Sequence, residues 1–171
     1  TTTTTVAGQT LSLTSKIDTI TGGAGDDTID ATAVNEGGVA NVQTLGATDT
    51  IDGGAGNDTL GFEESGTNTG ELTLTTAGAT NFENLIGTAG AETIKGDNNA
   101  NVLTGKNGAD TLFGYGGNDT LYADYAGSSD QTSNDSLNGG AGNDTLYGND
   151  GDNILDGGTG ADTITSGGGS D

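Results

Sequence analysis

Carboxylates set nine residues apart are the chemistry-bearing feature of this chain. Asp18 and Asp27, Asp49 and Asp58, Glu92, Asp110 and Asp119, Asp135 and Asp144, and Asp162 and Asp171 each hold the sixth place of a nine-residue unit. Asn101 and Asn153 hold the same place with an amide. The clearest copy runs from Gly139 to Tyr147 as Gly-Gly-Ala-Gly-Asn-Asp-Thr-Leu-Tyr, and close variants begin at Gly22, Gly53, Gly114 and Gly157. Cys and His are absent, which removes thiol nucleophiles, imidazole bases, disulfides and the commonest zinc ligands. What remains is oxygen, from carboxylates and from carbonyls bared by glycine-rich bends. A shell of about six to eight oxygens suits calcium, whereas magnesium asks for a tighter octahedron and keeps more water. Paired carboxylates can also cleave glycosides. Here they recur at every turn, which points to a structural ladder and to a protein that is not an enzyme.

Such a ladder needs short strands and tight turns at a fixed repeat. Position eight of every complete unit is Ile or Leu, and position seven is usually Thr. About six residues of each unit form a turn and about three a strand, with position eight facing inward and its neighbours outward. Two units then complete one turn of a flattened coil. The expected fold is all-β: a right-handed parallel β-roll, or β-solenoid, with short strands and calcium-binding turns. Stacked strands lie about 4.8 Å apart, so position-six groups two units apart come together. The same-side pairs are Asp18 with Asp49, Asp27 with Asp58, Glu92 with Asp110, Asp110 with Asp135, Asp119 with Asp144, and Asp144 with Asp162. Each ion is shared by two turns. Sites that Asn101 shares with Asp119, or Asn153 with Asp135, are expected to be weaker or empty because the amide lacks charge.

Composition agrees with a fold that has little conventional core. Only 29% of the 171 residues are hydrophobic, 34 are glycine, and the net charge is −22 with Lys16, Lys95 and Lys106 as the basic side chains. Low hydrophobicity with high charge is also the signature of disorder, and it is the unbroken period that argues for a fold. Nucleic acid is excluded as a partner, since there is no basic patch to displace counterions from phosphates. No run is long and apolar enough for a membrane span, and the residues from Thr1 do not read as a basic-then-apolar leader. Residues 1–61 read as a Thr-rich strand followed by the first part of the roll, with an insertion at 31–43. Residues 62–86 leave the period and read as a longer-stranded crossing. Residues 87–171 form a second roll, with a loop at 123–129, and stop inside a unit, as expected of a segment of a longer protein.

On these nonads the chain resembles the RTX family, the hemolysin-type calcium-binding repeats of proteins exported by bacteria through type I secretion. That resemblance covers most of the repeat-bearing chain. It implies several bound calcium ions, export in an unfolded state, and folding on reaching extracellular calcium. Glu92, Asn101 and Asn153 depart from the family's position-six aspartate. The order Gly8-Gln-Thr-Leu-Ser-Leu-Thr, Asp18-Thr-Ile-Thr-Gly, Asp49-Thr-Ile-Asp-Gly-Gly-Ala-Gly and Asn81-Phe-Glu-Asn-Leu is similar to RTX surface-layer proteins. This second resemblance implies self-association into a lattice or filament at the bacterial cell surface. Two alternatives stand beside it: a secretion and folding domain of an exported enzyme or toxin, and a carbohydrate-binding module for a surface polysaccharide. Asn-Asp-Thr at 57, 118 and 143 matches a glycosylation sequon, but the repeat generates it automatically. Tyr122 and Tyr147, two units apart at position nine, are expected to stack on one outer face. Phe113 is expected on the other face.

Overall fold

The structure, a computed structural model, describes residues 10–12, 19–30, 34–36, 39–42, 50–62, 71–73, 79–124 and 132–171. Every regular element among them is a strand. Thr and other β-branched residues flank one inward Ile or Leu, and glycine-rich turns end each strand within a few residues. One face of the molecule is an eight-stranded sheet in the order Thr10–Ser12, Thr28–Asp30, Thr59–Gly61, Asn84–Ile86, Val102–Thr104, Thr120–Tyr122, Thr145–Tyr147 and Thr163–Thr165. A five-stranded sheet comprises Glu71–Thr73, Thr93–Lys95, Thr111–Gly116, Ser136–Ala141 and Ile154–Thr159. A three-stranded sheet comprises Thr19–Ala24, Thr50–Ala55 and Ala79–Thr80. All pairings in these sheets are parallel. The fold is the all-β parallel β-roll that the period predicts.

Position eight supplies the core. Ile29, Ile51, Leu60, Ile94, Leu103, Leu112, Leu121, Leu137 and Leu146 are all buried, each contributing about 2 kcal/mol of apolar transfer. Register passes through the insertions unchanged. Leu121 sits opposite Leu103 on one side and Leu146 on the other, although the loop lies between Leu121 and Leu146. Segment 31–43 contributes an antiparallel pair, Val34–Glu36 with Val39–Val42, while Ile29 still meets Leu60.

Three details differ from the sequence reading. The described parts of 62–86 stay within the stack: Leu85 lies between Leu60 and Leu103 in the long sheet, Leu72 is in register with Ile94, and Ala79 with Ile51. The loop placed at 123–129 begins two residues later. Ala123 is fully buried, and its backbone N–H donates to the Tyr147 carbonyl as Gly105 donates to Tyr122, so Ala123 and Asp124 are the first two residues of a turn. The extra residues are 125–131, outside the described residues. Ile164 at position eight is 45% exposed and Leu155 only partly buried, because Thr163–Thr165 and Ile154–Thr159 are the end strands of their sheets among the described residues.

The aromatic step forms as expected on one face. Tyr122 and Tyr147 stack with centroids 4.9 Å apart and planes 5° from parallel. Phe113 is joined by a neighbour the repeat did not indicate, Tyr115, at 5.9 Å and 17°. Among the described residues no helix is long and apolar enough to cross a membrane.

Candidate metal centre

Most of the described turns end by placing the position-six side chain under the position-six backbone of the neighbouring turn. Asp58 Oδ1 accepts the N–H of Asp27 at 2.7 Å. Asp110 Oδ1 accepts from Glu92 at 2.8 Å, Asp135 Oδ1 from Asp110 at 2.7 Å, Asp144 Oδ1 from Asp119 at 2.8 Å and Asp162 Oδ1 from Asp144 at 2.9 Å. Asp119 Oδ1 takes the N–H of Asn101, Asn153 Oδ1 that of Asp135, and Asp171 Oδ1 that of Asn153. The expected same-side partners are therefore brought together wherever they are described. They meet through a carboxylate-to-backbone bond, so one oxygen of each pair is already committed. Asp18 and Asp49 lie outside the described residues, although the strands that follow them pair in register, Thr19 with Thr50.

The second oxygen is what makes the site. Oδ2 of Asp58, Asp110, Asp119 and Asp144 is buried with no hydrogen-bond partner. Buried polar atoms are almost always paired, so a row of orphaned anionic oxygens at equivalent places fits a cation as their partner. Glycine at position one leaves the room for it. A Cβ at Gly114 would strike Asp119 Oδ2 and approach the Gly139 carbonyl, and one at Gly139 would strike Asp144 Oδ2 and approach the Gly157 carbonyl. Each cradle thus combines a free carboxylate oxygen with a carbonyl from the next turn. No three acidic residues among those described form a metal site on their own, and the Gly139 and Gly157 carbonyls lie beside these cradles as further oxygen donors. This mixed oxygen set fits a hard cation of calcium's coordination habits.

Four ladder carboxylates are also held above their ordinary range. Burial pushes Asp110 up from 3.8 to about 8; the Glu92 N–H opposes this, and the charges of Glu92, Asp135 and Asp124 add to it. Burial likewise lifts Asp119 to about 6, opposed by the Asn101 N–H and reinforced by Asp144 and Asp97. Asp58 is raised chiefly by burial, with Glu83 and Asp27 among the repelling charges. Glu92 is raised by burial despite hydrogen bonds from Thr88 and Gly90 and the nearby charge of Lys106. A dication would supply the stabilisation these carboxylates lack.

Not every rung is alike. Glu92 folds back on its own turn, where Thr88 donates through both its backbone N–H and its hydroxyl. Asn101 accepts from the Asp97 N–H at 2.9 Å. Asp135 Oδ2 accepts from Asn149 Nδ2 at 2.8 Å and Ser133 Oγ at 3.2 Å. Three residues absent from the sequence-based set belong to the ladder. Glu83 stands at a position-six place, accepting the Asp58 N–H at 2.7 Å; its signal was an acid two residues before Leu85, the spacing of Asp58 to Leu60. Asp124 and Asn149 meet at 2.7 Å inside consecutive turns.

The model of the RTX calcium-binding nonapeptide repeat, in four copies, matches residues 9–35, 42–60, 86–121, 131–164 and 147–171. No curated protein matches the chain. With a parallel roll, a buried Ile and Leu column and a repeated oxygen cradle already in place, the matched stretches leave one conclusion: the chain belongs to the RTX calcium-binding nonapeptide repeat family and is a calcium-binding structural module.

Proposed function

We propose that this module is the calcium-dependent structural part of a secreted bacterial cell-surface protein, acting in a surface layer or a comparable extracellular assembly and carrying no catalysis. The observation behind it is the orphaned Oδ2 of Asp58, Asp110, Asp119 and Asp144. These side chains, with Asp27, Asp162 and Asp171 in equivalent places and Asp18 and Asp49 by their place in the sequence repeat, are assigned as calcium ligands together with position-one carbonyls. Calcium would neutralise a column of like charge that otherwise opposes compaction. Folding is then coupled to binding, so that the chain stays open where calcium is scarce and closes outside the cell.

Assembly is assigned to the outer face of the long sheet, where Tyr147 is 37% exposed and stacked on Tyr122. Aromatic pairs of this kind supply rigid contact area. Electron microscopy and sedimentation of the chain before and after calcium addition test the assignment. Sheets, filaments or higher oligomers that need calcium are expected. A folded species that remains monomeric at all accessible concentrations would instead favour a secretion or folding module.

A further inference from the structure

We propose that the Asn149 carboxamide takes the place of a cation at the rung built from Asp124, Asp135 and Asn153, so that this turn closes without calcium while the turns with free carboxylates carry the ions. The inference rests on the calcium reading above and says which rungs are outside it.

Asn149 is 4% exposed. Its Nδ2 is ringed by three oxygens: Asp124 Oδ2 at 2.7 Å, Asp135 Oδ2 at 2.8 Å and Ser133 Oγ at 3.0 Å. Its Oδ1 accepts the Gly151 N–H at 2.8 Å and Asn153 Nδ2 at 2.9 Å. The orientation of both amides is dictated by the backbone, since the Gly151 N–H requires Asn149 Oδ1 and the Asp135 N–H requires Asn153 Oδ1. Asn153 Nδ2 then finishes on the Gly151 carbonyl at 3.0 Å. Hydrogen bonds to carboxylates are the strong ones, and this rung has several where other rungs have an orphan.

Position one differs here too. At Gly105, Gly114, Gly139 and Gly157 a Cβ would fall 2.3–2.5 Å from the position-six Oδ2. Ala123 carries a methyl at the corresponding place in this turn and is fully buried, so the space beside the Asp135 carboxylate is arranged differently from that beside Asp110, Asp119, Asp144 and Asp162. Position two also turns inward at this edge, as Asp124 and Asn149 and, in an earlier turn, as Thr88 against Glu92. The two edges of the roll therefore differ. One presents consecutive free oxygens on Asp119 and Asp144. On the other, Glu92, Asp135 and Asn153 are engaged by protein donors, and Asp110 alone of the four keeps an orphaned oxygen.

Calcium stoichiometry by isothermal titration of the full chain tests this, comparing the parent with Asp144→Asn, Asp135→Asn and Asn149→Asp. Asp144→Asn should lose bound calcium, Asp135→Asn should keep the parental number, and Asn149→Asp should gain one ion because a third carboxylate replaces the amide plug. Loss of an ion in Asp135→Asn, with loss also in Asp144→Asn, overturns the proposal while leaving the calcium reading intact. Absence of binding in the parent removes the calcium reading itself. Asp135→Asn places an amide donor against Asn149 Nδ2 and could fail to fold; Asn149→Asp then decides, and an unchanged stoichiometry in that variant refutes the plug.

Discussion

Asp144 accepts the backbone N–H of Asp119 through Oδ1 at 2.8 Å while its Oδ2 stays buried without a partner. One side chain therefore has two separable duties, a hydrogen bond that sets the stacking of turns and a charged oxygen reserved for a cation. Asn keeps the first and loses the second. Asp144→Asn should still reach the folded state, but at a calcium concentration about tenfold higher, the size expected for about 1.4 kcal/mol of lost ligand charge. Asp144→Ala loses both and should cost a further roughly 1.5–3 kcal/mol for the charged hydrogen bond. Calcium titrations of the parent and the two variants monitored by circular dichroism would separate the contributions; a midpoint for Asp144→Asn equal to the parent's would mean the free oxygen has no role.

A methyl at position one should close a cradle. A Cβ on Gly139 would collide with Asp144 Oδ2, so Gly139→Ala should lose an ion and about 1–3 kcal/mol from overpacking. Thermal unfolding in saturating calcium measures the second effect and titration calorimetry the first. Beside Ala123 the neighbouring carboxylate is already bonded by Asn149, which predicts that Ala123→Gly alters calcium stoichiometry far less than Gly139→Ala.

What could be read without the structure, and what could not, follows from where the period holds. Leu103, Leu121 and Leu146 were placeable because one inward residue per strand recurs at a constant spacing. Register survives the insertions because a longer loop adds little closure entropy while a slipped strand would turn its Leu outward. Glu83 was hidden by a shortened turn: Asn81-Phe82-Glu83 covers the span from Gly53 to Asp58, with Asn81 at a positive φ of 56°, so the count of nine fails there even though the geometry continues. Asp124 was hidden because the extra residues lie inside a turn, and nothing in their composition marks where the turn resumes. The Asn149 network joins residues whose spacings belong to different turns, and only the folded coil brings them together.

pH should act against calcium and for the metal-free fold. Asp110 rises to about 8 and Asp119 to about 6 from 3.8 when buried without a cation. The metal-free folded chain thus binds protons that the unfolded chain releases, and the stability from this source is complete below about pH 4 and lost as pH rises toward 8. In EDTA, β signal should be greater at pH 5 than at pH 8. Because a cation and a proton compete for the same oxygens, the calcium midpoint should fall between pH 6 and pH 8. A metal-free β signal that grows with pH would show the sign to be wrong.

The tyrosine step should matter to assembly more than to folding. Tyr122 and Tyr147 lie on the outer face of the long sheet, stacked at 4.9 Å, and aromatic pairs across strands contribute about 0.2–1 kcal/mol. Replacing both with Thr should leave the calcium-induced circular dichroism nearly unchanged and abolish oligomers in sedimentation. Oligomers that persist in the double variant would remove this face from the contact.

The account stands most directly on whether calcium is part of the fold. Circular dichroism of the chain at neutral pH, first in EDTA and then through a calcium titration, measures this. A spectrum without β structure in EDTA, converting cooperatively to a parallel-sheet spectrum as the cradles at Asp58, Asp110, Asp119 and Asp144 fill, is the predicted result. The same β spectrum in EDTA as in saturating calcium would contradict it.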